Sequence, residues 1–69
     1  MTHTLGIEIE QERDGRWIAE VPKLPGVMVY AASREEAVAR VQALALCVLA
    51  ERLENGEPVP ETAALFSPP

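Results

Sequence analysis

The chain has 69 residues, which is enough for one domain and too few for a second. Eleven acidic and six basic side chains give a formal net charge of -5, which opposes direct binding to nucleic acid and favours a basic protein partner. Cys47 is the single cysteine and His3 the single histidine, so we expect neither an internal disulfide nor a zinc site, and no cofactor. A core this small usually needs a disulfide, a metal or oligomerisation to stabilise it, and only oligomerisation is left here. We therefore predict a homo-oligomer, either a dimer or a tetramer.

The N-terminal residues contain no basic stretch followed by an apolar run, so no signal peptide is expected. No apolar segment of the sequence reaches the roughly 18 residues that a membrane-spanning helix needs. The free thiol of Cys47 suits a reducing compartment. The sequence therefore predicts a cytoplasmic protein without a membrane segment.

Three segments have the period-two alternation or the β-branched and aromatic composition of strands, at about 4–12, 16–21 and 27–31. A two-residue turn between the first two would mix carboxylates into the apolar face. A three-residue loop with Gly15 in the left-handed conformation instead pairs Ile9 with Ala19 and Gln11 with Trp17. We therefore expect this register, with Trp17 on the inward face.

Pro25-Gly26 suits the centre of a type II turn before the third strand. Ser33 and Glu36 form a capping box that predicts a helix from about 34 to 55, with Asn55-Gly56 as its left-handed exit. The tail, 57–69, begins extended, and its residues 62–66 either form a short fourth strand or pack irregularly. The predicted fold is α+β, a single domain over 1–69 in which a three-stranded antiparallel sheet packs on one helix.

The predicted helix has two apolar faces. One stripe should cover the sheet and consists of Ala37, Val41, Leu44, Ala45 and Val48, with Val38 and Leu49 along its edge. The opposite stripe consists of Ala39, Ala43, Leu46, Ala50 and Leu53. An apolar back face on a surface helix needs a cover, and two are available: a second copy of the chain, or the tail through Leu65 and Phe66. We predict an oligomer interface at the second stripe.

Glu8, Glu10 and Glu12 lie on one face of the first strand, and the expected register puts Glu20 opposite Glu8. Carboxylates in such a row bind a divalent metal, form a recognition surface for a basic partner, or are simply solvated. A metal site would need further Asp or His ligands, which the pattern does not supply. His3 is expected on the surface, and Cys47 is expected to pack beside its apolar neighbours without acting as a nucleophile. No catalytic set of residues is found, so an enzyme is not expected.

Three stretches, Asp14 to Gly26, Ser33 to Ala37 and Gly56 to Pro60, carry a resemblance to the HicB-like antitoxin family. They supply the aromatic strand, the Val-Pro-Lys-Leu-Pro-Gly loop, the Glu-Glu-Ala start of the helix and its Gly-Glu-Pro exit. The resemblance implies a partial ribonuclease-H-like fold of order β-β-β-α, often with another strand. It also implies direct neutralisation of a small basic HicA-like toxin, an RNase that degrades messenger RNA.

The chain departs from that family at Val27, where a cysteine is common, and at Ala31-Ala32, where Gly-Asp or Gly-Thr is common. Only thirteen residues follow Gly56, too few for the DNA-binding module of many relatives, so only the family's N-terminal domain is expected, without direct nucleic acid binding. The leading hypothesis is an antitoxin of a type II toxin-antitoxin system, and the alternative is an orphan homo-oligomeric scaffold without a toxin. The residues expected to contact the toxin are Glu8, Glu10, Glu12, Ile18, Glu20 and Tyr30.

Overall fold

A computed structural model describes residues 5–60. Within them, three strands, β1 (Glu8–Gln11), β2 (Trp17–Glu20) and β3 (Met28–Ala31), are followed by one helix, α1 (Arg34–Glu54). The strands form an antiparallel sheet of order β1-β2-β3, and α1 packs against one of its faces. This confirms the predicted α+β fold class. Each strand is shorter than predicted, the helix ends one residue earlier, and the segment 62–66 lies outside the described residues.

The β1-β2 hairpin has the predicted register. Ile9 lies opposite Ala19 and Gln11 opposite Trp17. The connecting loop is closed by the Glu12 amide, which donates to the Arg16 carbonyl at 2.7 Å. Gly15 has φ of 91°, a left-handed conformation that an L side chain rarely adopts. The three-residue loop therefore keeps the apolar side chains of both strands on the same face of the sheet.

Two consecutive turns connect β2 to β3. The Leu24 amide donates to the Val21 carbonyl at 2.9 Å, and the Val27 amide donates to the Leu24 carbonyl at 3.0 Å. The second turn has Pro25 and Gly26 at its centre, with Gly26 at φ 86°, as a type II turn requires. The Val21 amide also donates to the Val27 carbonyl at 3.0 Å, which closes the loop and directs the Leu24 side chain into the core, where only 1% of the residue is exposed.

Both ends of α1 are capped. The Ser33 hydroxyl accepts from the Glu36 amide at 3.1 Å, as predicted. The Glu36 carboxylate does not reach back to Ser33 as the capping box implied, because it is bonded to Arg40 Nη2 at 2.8 Å, one turn along the helix. At the other end the Gly56 amide donates to the Leu53 carbonyl and the Glu57 amide to the Arg52 carbonyl, at 3.0 and 2.9 Å. These two bonds, with Gly56 at φ 75°, form a Schellman motif.

The core lies between the sheet and α1. Leu49, predicted at the edge of the inward stripe, is buried there, whereas Leu44 and Val48 are only partly buried against it. Cys47 is exposed, so the prediction that it packs was wrong: it follows the buried Ala45 by two residues, or about 200° around the helix. The buried residues are Ala19, Val21, Leu24, Val27, Ala31, Ala37, Val41, Ala45, Leu49 and Val59. No helix in the described part of the chain is long and apolar enough to cross a membrane.

Candidate functional site

The face of the sheet that points away from α1 carries five of the six predicted contact residues. Because side chains alternate along each strand, the residues between the core positions of β1, β2 and β3 all project to this side. We define the outer face as the six residues Glu8, Glu10, Ile18, Glu20, Met28 and Tyr30.

The register arranges the outer face in two rows that cross the three strands. In one row Ile18 lies between Glu10 and Tyr30, and in the other Glu20 lies between Glu8 and Met28. Neighbouring strands are about 4.8 Å apart. In each row the glutamate on β1 is therefore about 10 Å from the apolar or aromatic residue on β3. The acidic end forms a shallow concavity of about 230 Å³ lined by Glu8, Ile9, Glu10, Ile18 and Glu20. The pairing of the strands thus gives the outer face an acidic edge on β1, an apolar edge on β3, and Ile18 and Glu20 between them.

The carboxylates of the outer face have no basic partner among the described residues. The two ion pairs within residues 5–60 join Arg16 to Asp14 and Arg40 to Glu36, and neither involves the outer face. Glu8 and Glu20 lie directly opposite each other on adjacent strands. Like charges in that position destabilise a sheet. A partner that brings a positive charge to this end of the outer face would relieve the repulsion.

At the other end of the outer face, one basic side chain packs on Tyr30. The Arg16 guanidinium lies 4.7 Å from the centre of the Tyr30 ring, in a cation-π contact. Its Nε donates to Asp14 Oδ2 at 2.7 Å, and the Arg16 amide donates to Asp14 Oδ1 at 3.1 Å. The hydrogen bond from the Arg16 amide is the main reason why the pKa of Asp14 lies below its usual value of 3.8. The charge of Arg16 is therefore already shared between a carboxylate and an aromatic ring.

Five of the six predicted contact residues lie together on the outer face, and one does not. Glu12 follows the end of β1, where its backbone closes the hairpin, and its side chain is not part of the concavity. The prediction extended the strand through Glu12 because the alternation of Glu residues continues, but the turn interrupts the ladder there. The contact prediction omitted Met28, which is 46% exposed on the outer face, although its parity with Tyr30 in β3 was available from the sequence.

The structure also locates the residues that the sequence analysis considered for metal binding and for the core. Among residues 5–60, no three carboxylate, imidazole or thiol side chains lie close enough together to hold a metal ion. Trp17 lies on the inward face, partly buried against the core. His3 lies outside the described residues.

The second predicted surface, the back of α1, is also exposed. All five of its predicted residues are accessible, and we call them the helix stripe: Ala39, Ala43, Leu46, Ala50 and Leu53. Leu46 is 58% and Leu53 47% exposed, large values for leucines. The buried side of the helix is opposite, against the sheet. The chain thus presents two surfaces with apolar side chains, one on each side of its core.

Comparison of the chain with family models, with curated proteins and with solved structures yields no match.

Proposed function

We propose that the chain is an antitoxin-type binding domain that neutralises a small basic RNase toxin, HicA-like in kind, by direct contact through the outer face. The observation that supports the proposal is the arrangement of three carboxylates, without a basic partner within residues 5–60, beside exposed apolar side chains on one sheet face. The resemblance of the sequence to HicB-like antitoxins adds the class of partner. The chain itself has no catalytic role in this proposal.

The outer face combines two kinds of contact that protein interfaces use. Ile18, Tyr30 and Met28 provide apolar anchors, and aromatic residues are enriched at such sites. Glu8, Glu10 and Glu20 provide the charge that steers a basic protein to the surface and fixes its orientation. Since an RNase that binds messenger RNA needs a basic surface, an acidic face of this kind competes with RNA for the same side chains. Occlusion of the RNA-binding surface is therefore the proposed mechanism, and the cytoplasm, where messenger RNA is translated, its proposed location.

The test is to co-express the chain with any small basic protein encoded beside it, followed by affinity purification and an RNA-cleavage assay; the absence of any such neighbour would count against the proposal. The informative variant is Glu8→Lys/Glu10→Lys on the outer face. The matched control is Glu51→Lys/Glu57→Lys, two exposed positions away from the outer face, because both double variants have the same net charge.

We expect the outer-face variant to weaken binding by about 100-fold or more and to restore RNA cleavage, because two charge-assisted contacts are reversed. The control should change the affinity by less than about threefold, and only at low salt. Equal affinities of the two double variants would show that only overall charge matters and would refute the assignment of the outer face. An adjacent protein that neither binds the chain nor cleaves RNA would refute the antitoxin function itself.

The alternative is an orphan homo-oligomeric scaffold without a toxin, and the exposed helix stripe is the observation that favours it. In that case the assembly would be unaffected by Glu8→Lys/Glu10→Lys, and no basic protein would co-purify with the chain.

A further inference from the structure

The helix stripe has the spacing of a coiled-coil seam. Its five residues are separated alternately by four and three positions, which is the heptad pattern in which Ala43 and Ala50 take the a positions and Leu46 and Leu53 the d positions. All of these side chains are exposed, on the side of α1 opposite the buried residues. From Ala43 to Leu53 the a position is therefore always small and the d position always large, while Ala39, at the preceding d position, ends the seam with a small residue.

This separation of small and large residues selects one orientation for a pair of identical helices. In a parallel pair, alanine would face alanine and leucine would face leucine, so narrow and wide layers would alternate. In an antiparallel pair, each a position faces a d position, so Ala43 lies opposite Leu53 of the second copy and Leu46 opposite Ala50. Every layer then contains one alanine and one leucine, which gives uniform spacing and lets the helices approach closely. The same register covers both exposed leucines of each copy.

The charges beside the seam complement each other in the same register. Arg40 and Glu54 occupy equivalent flanking positions two heptads apart, so an antiparallel pair brings Arg40 of one copy beside Glu54 of the other, twice by symmetry. The Arg40 side chain is 58% exposed and uses Nη1 for the Tyr30 carbonyl and Nη2 for Glu36, so further guanidinium donors remain. Glu54 takes part in neither ion pair of the described residues. In a parallel pair the two side chains would lie about 21 Å apart along the helices.

We propose that two copies of this chain form a two-fold symmetric dimer through antiparallel packing of their α1 helices along the helix stripe. The inference is independent of the proposed antitoxin function, because the helix stripe and the outer face lie on opposite sides of the core. Because each copy contributes a single helix, we expect the interface to bury less than the roughly 800 Å² per partner of a typical stable complex, and the dimer to dissociate in the micromolar range.

Cys47 provides a reporter for the orientation. It flanks the seam one heptad from both Arg40 and Glu54, so the two-fold axis brings the two Cys47 residues to the same side of the antiparallel pair, near each other. The thiol is exposed and open to maleimide reagents. In a parallel dimer the two thiols would be on opposite sides of the helix pair, out of reach of a short reagent.

The first experiment is sedimentation of the full wild-type chain between about 5 and 200 µM, the range in which an interface of this size should assemble. It is combined with cross-linking by a bismaleimide whose reactive groups are about 8 Å apart, close to the usual 8 to 10 Å between helix axes. We expect a concentration-dependent dimer that cross-links at Cys47. A monomer throughout this range would overturn the proposal, as would a dimer that reacts with monofunctional maleimide but does not cross-link.

The second experiment uses variants. Leu46→Glu should weaken dimerisation by more than about 100-fold, because a carboxylate would be buried against an alanine. Met28→Glu, the same kind of change at an exposed apolar residue of the outer face, should leave the dimer unchanged. Glu54→Arg should also weaken the dimer, and Arg40→Glu in the same chain should restore it.

The variants also show whether the helix stripe is covered by a second copy of the chain or by the chain's own tail. If the tail covers the stripe, the wild-type chain stays monomeric and Leu46→Glu lowers its melting temperature without changing its mass, and the proposal fails. If Leu46→Glu does not fold at all, the wild-type cross-link and the charge exchange between Arg40 and Glu54 still decide the question.

Discussion

Leu24→Ala is the substitution that best tests how the β2-β3 loop contributes to stability. Leu24 is one of the two largest fully buried side chains, with 1% of its surface exposed, although it lies in a loop between two prolines. A buried Leu→Ala change costs about 2 to 5 kcal/mol, depending on how far the surroundings collapse into the cavity. Three backbone hydrogen bonds between Val21 and Val27 hold this loop, so collapse is limited and we expect a loss of about 3 kcal/mol.

That loss is large relative to the whole fold, because a core of this size supplies only about 3 to 5 kcal/mol of net stability. Leu24→Ala should therefore leave the chain close to its unfolding midpoint in dilute buffer. The measurement is urea unfolding followed by the fluorescence of Trp17, the single tryptophan, which is partly buried against the core. The variant is compared with wild type at a concentration low enough to keep the chain monomeric.

Two controls separate burial from other causes. Lys23→Ala changes the exposed neighbour of Leu24 in the same loop, and its free energy of unfolding should stay within about 0.5 kcal/mol of wild type. Leu46→Ala makes the identical chemical change at a residue that is 58% exposed, and the monomer should again lose little. If Leu24→Ala lost less than about 1 kcal/mol, or no more than Leu46→Ala, the interpretation of Leu24 as the side chain that fixes the loop would be wrong.

Three further predictions concern local features. Ser33→Ala should lower the free energy of unfolding by about 1 kcal/mol, because the Glu36 amide loses its acceptor at the start of α1, and thermal melting of the helix signal measures this. Gly26→Ala should cost about 1 to 2 kcal/mol, because alanine is strained at φ 86°; a variant as stable as wild type would contradict the type II turn. The pKa of Asp14 is lower in the folded chain than its usual 3.8, so its stabilisation is complete above pH 3.8 and is lost as the pH falls through the folded value. A carboxyl titration by NMR should give a midpoint below 3.8, and a midpoint at or above 3.8 would contradict the bond from the Arg16 amide.

The strand register and the turns were predictable from the sequence, because strand parity and the need for glycine at left-handed positions leave few arrangements possible. A three-residue loop keeps Ile9 and Ala19 on the same face where a two-residue turn does not, and Gly15 and Gly26 suit the left-handed positions that such turns create. Once the register is known, the composition of the outer face follows from strand parity. The predicted end of the first strand at Glu12 was wrong, because alternation in the sequence does not show where the hairpin ends the ladder.

Where a side chain has two possible hydrogen-bonding or ion-pair partners, the sequence did not predict which one it binds. Glu36 has two available donors, the Ser33 amide and the Arg40 guanidinium, and the structure uses Arg40. Arg16 contacts the Tyr30 ring and also binds Asp14. The close spacing of Asp14 and Arg16 in the sequence was compatible with their ion pair, but nothing in the sequence indicated the contact with Tyr30. Cys47 was assigned from its neighbours along the chain, whereas its angle around the helix places it on the exposed side.

The positions of the two proposed interfaces determine how they affect each other. The outer face and the helix stripe lie on opposite sides of one two-layer core, so no side chain belongs to both. An antiparallel dimer through α1 would leave both outer faces free and directed away from each other, so each dimer would bind two basic partners. The two interfaces can still affect each other through the stability of the fold, because any partner that binds only the folded chain raises its free energy of unfolding. Leu46→Glu should therefore raise the partner concentration needed for binding only when the chain is close to unfolding, and a loss of binding by a fully folded Leu46→Glu monomer would show that the two surfaces are not separate.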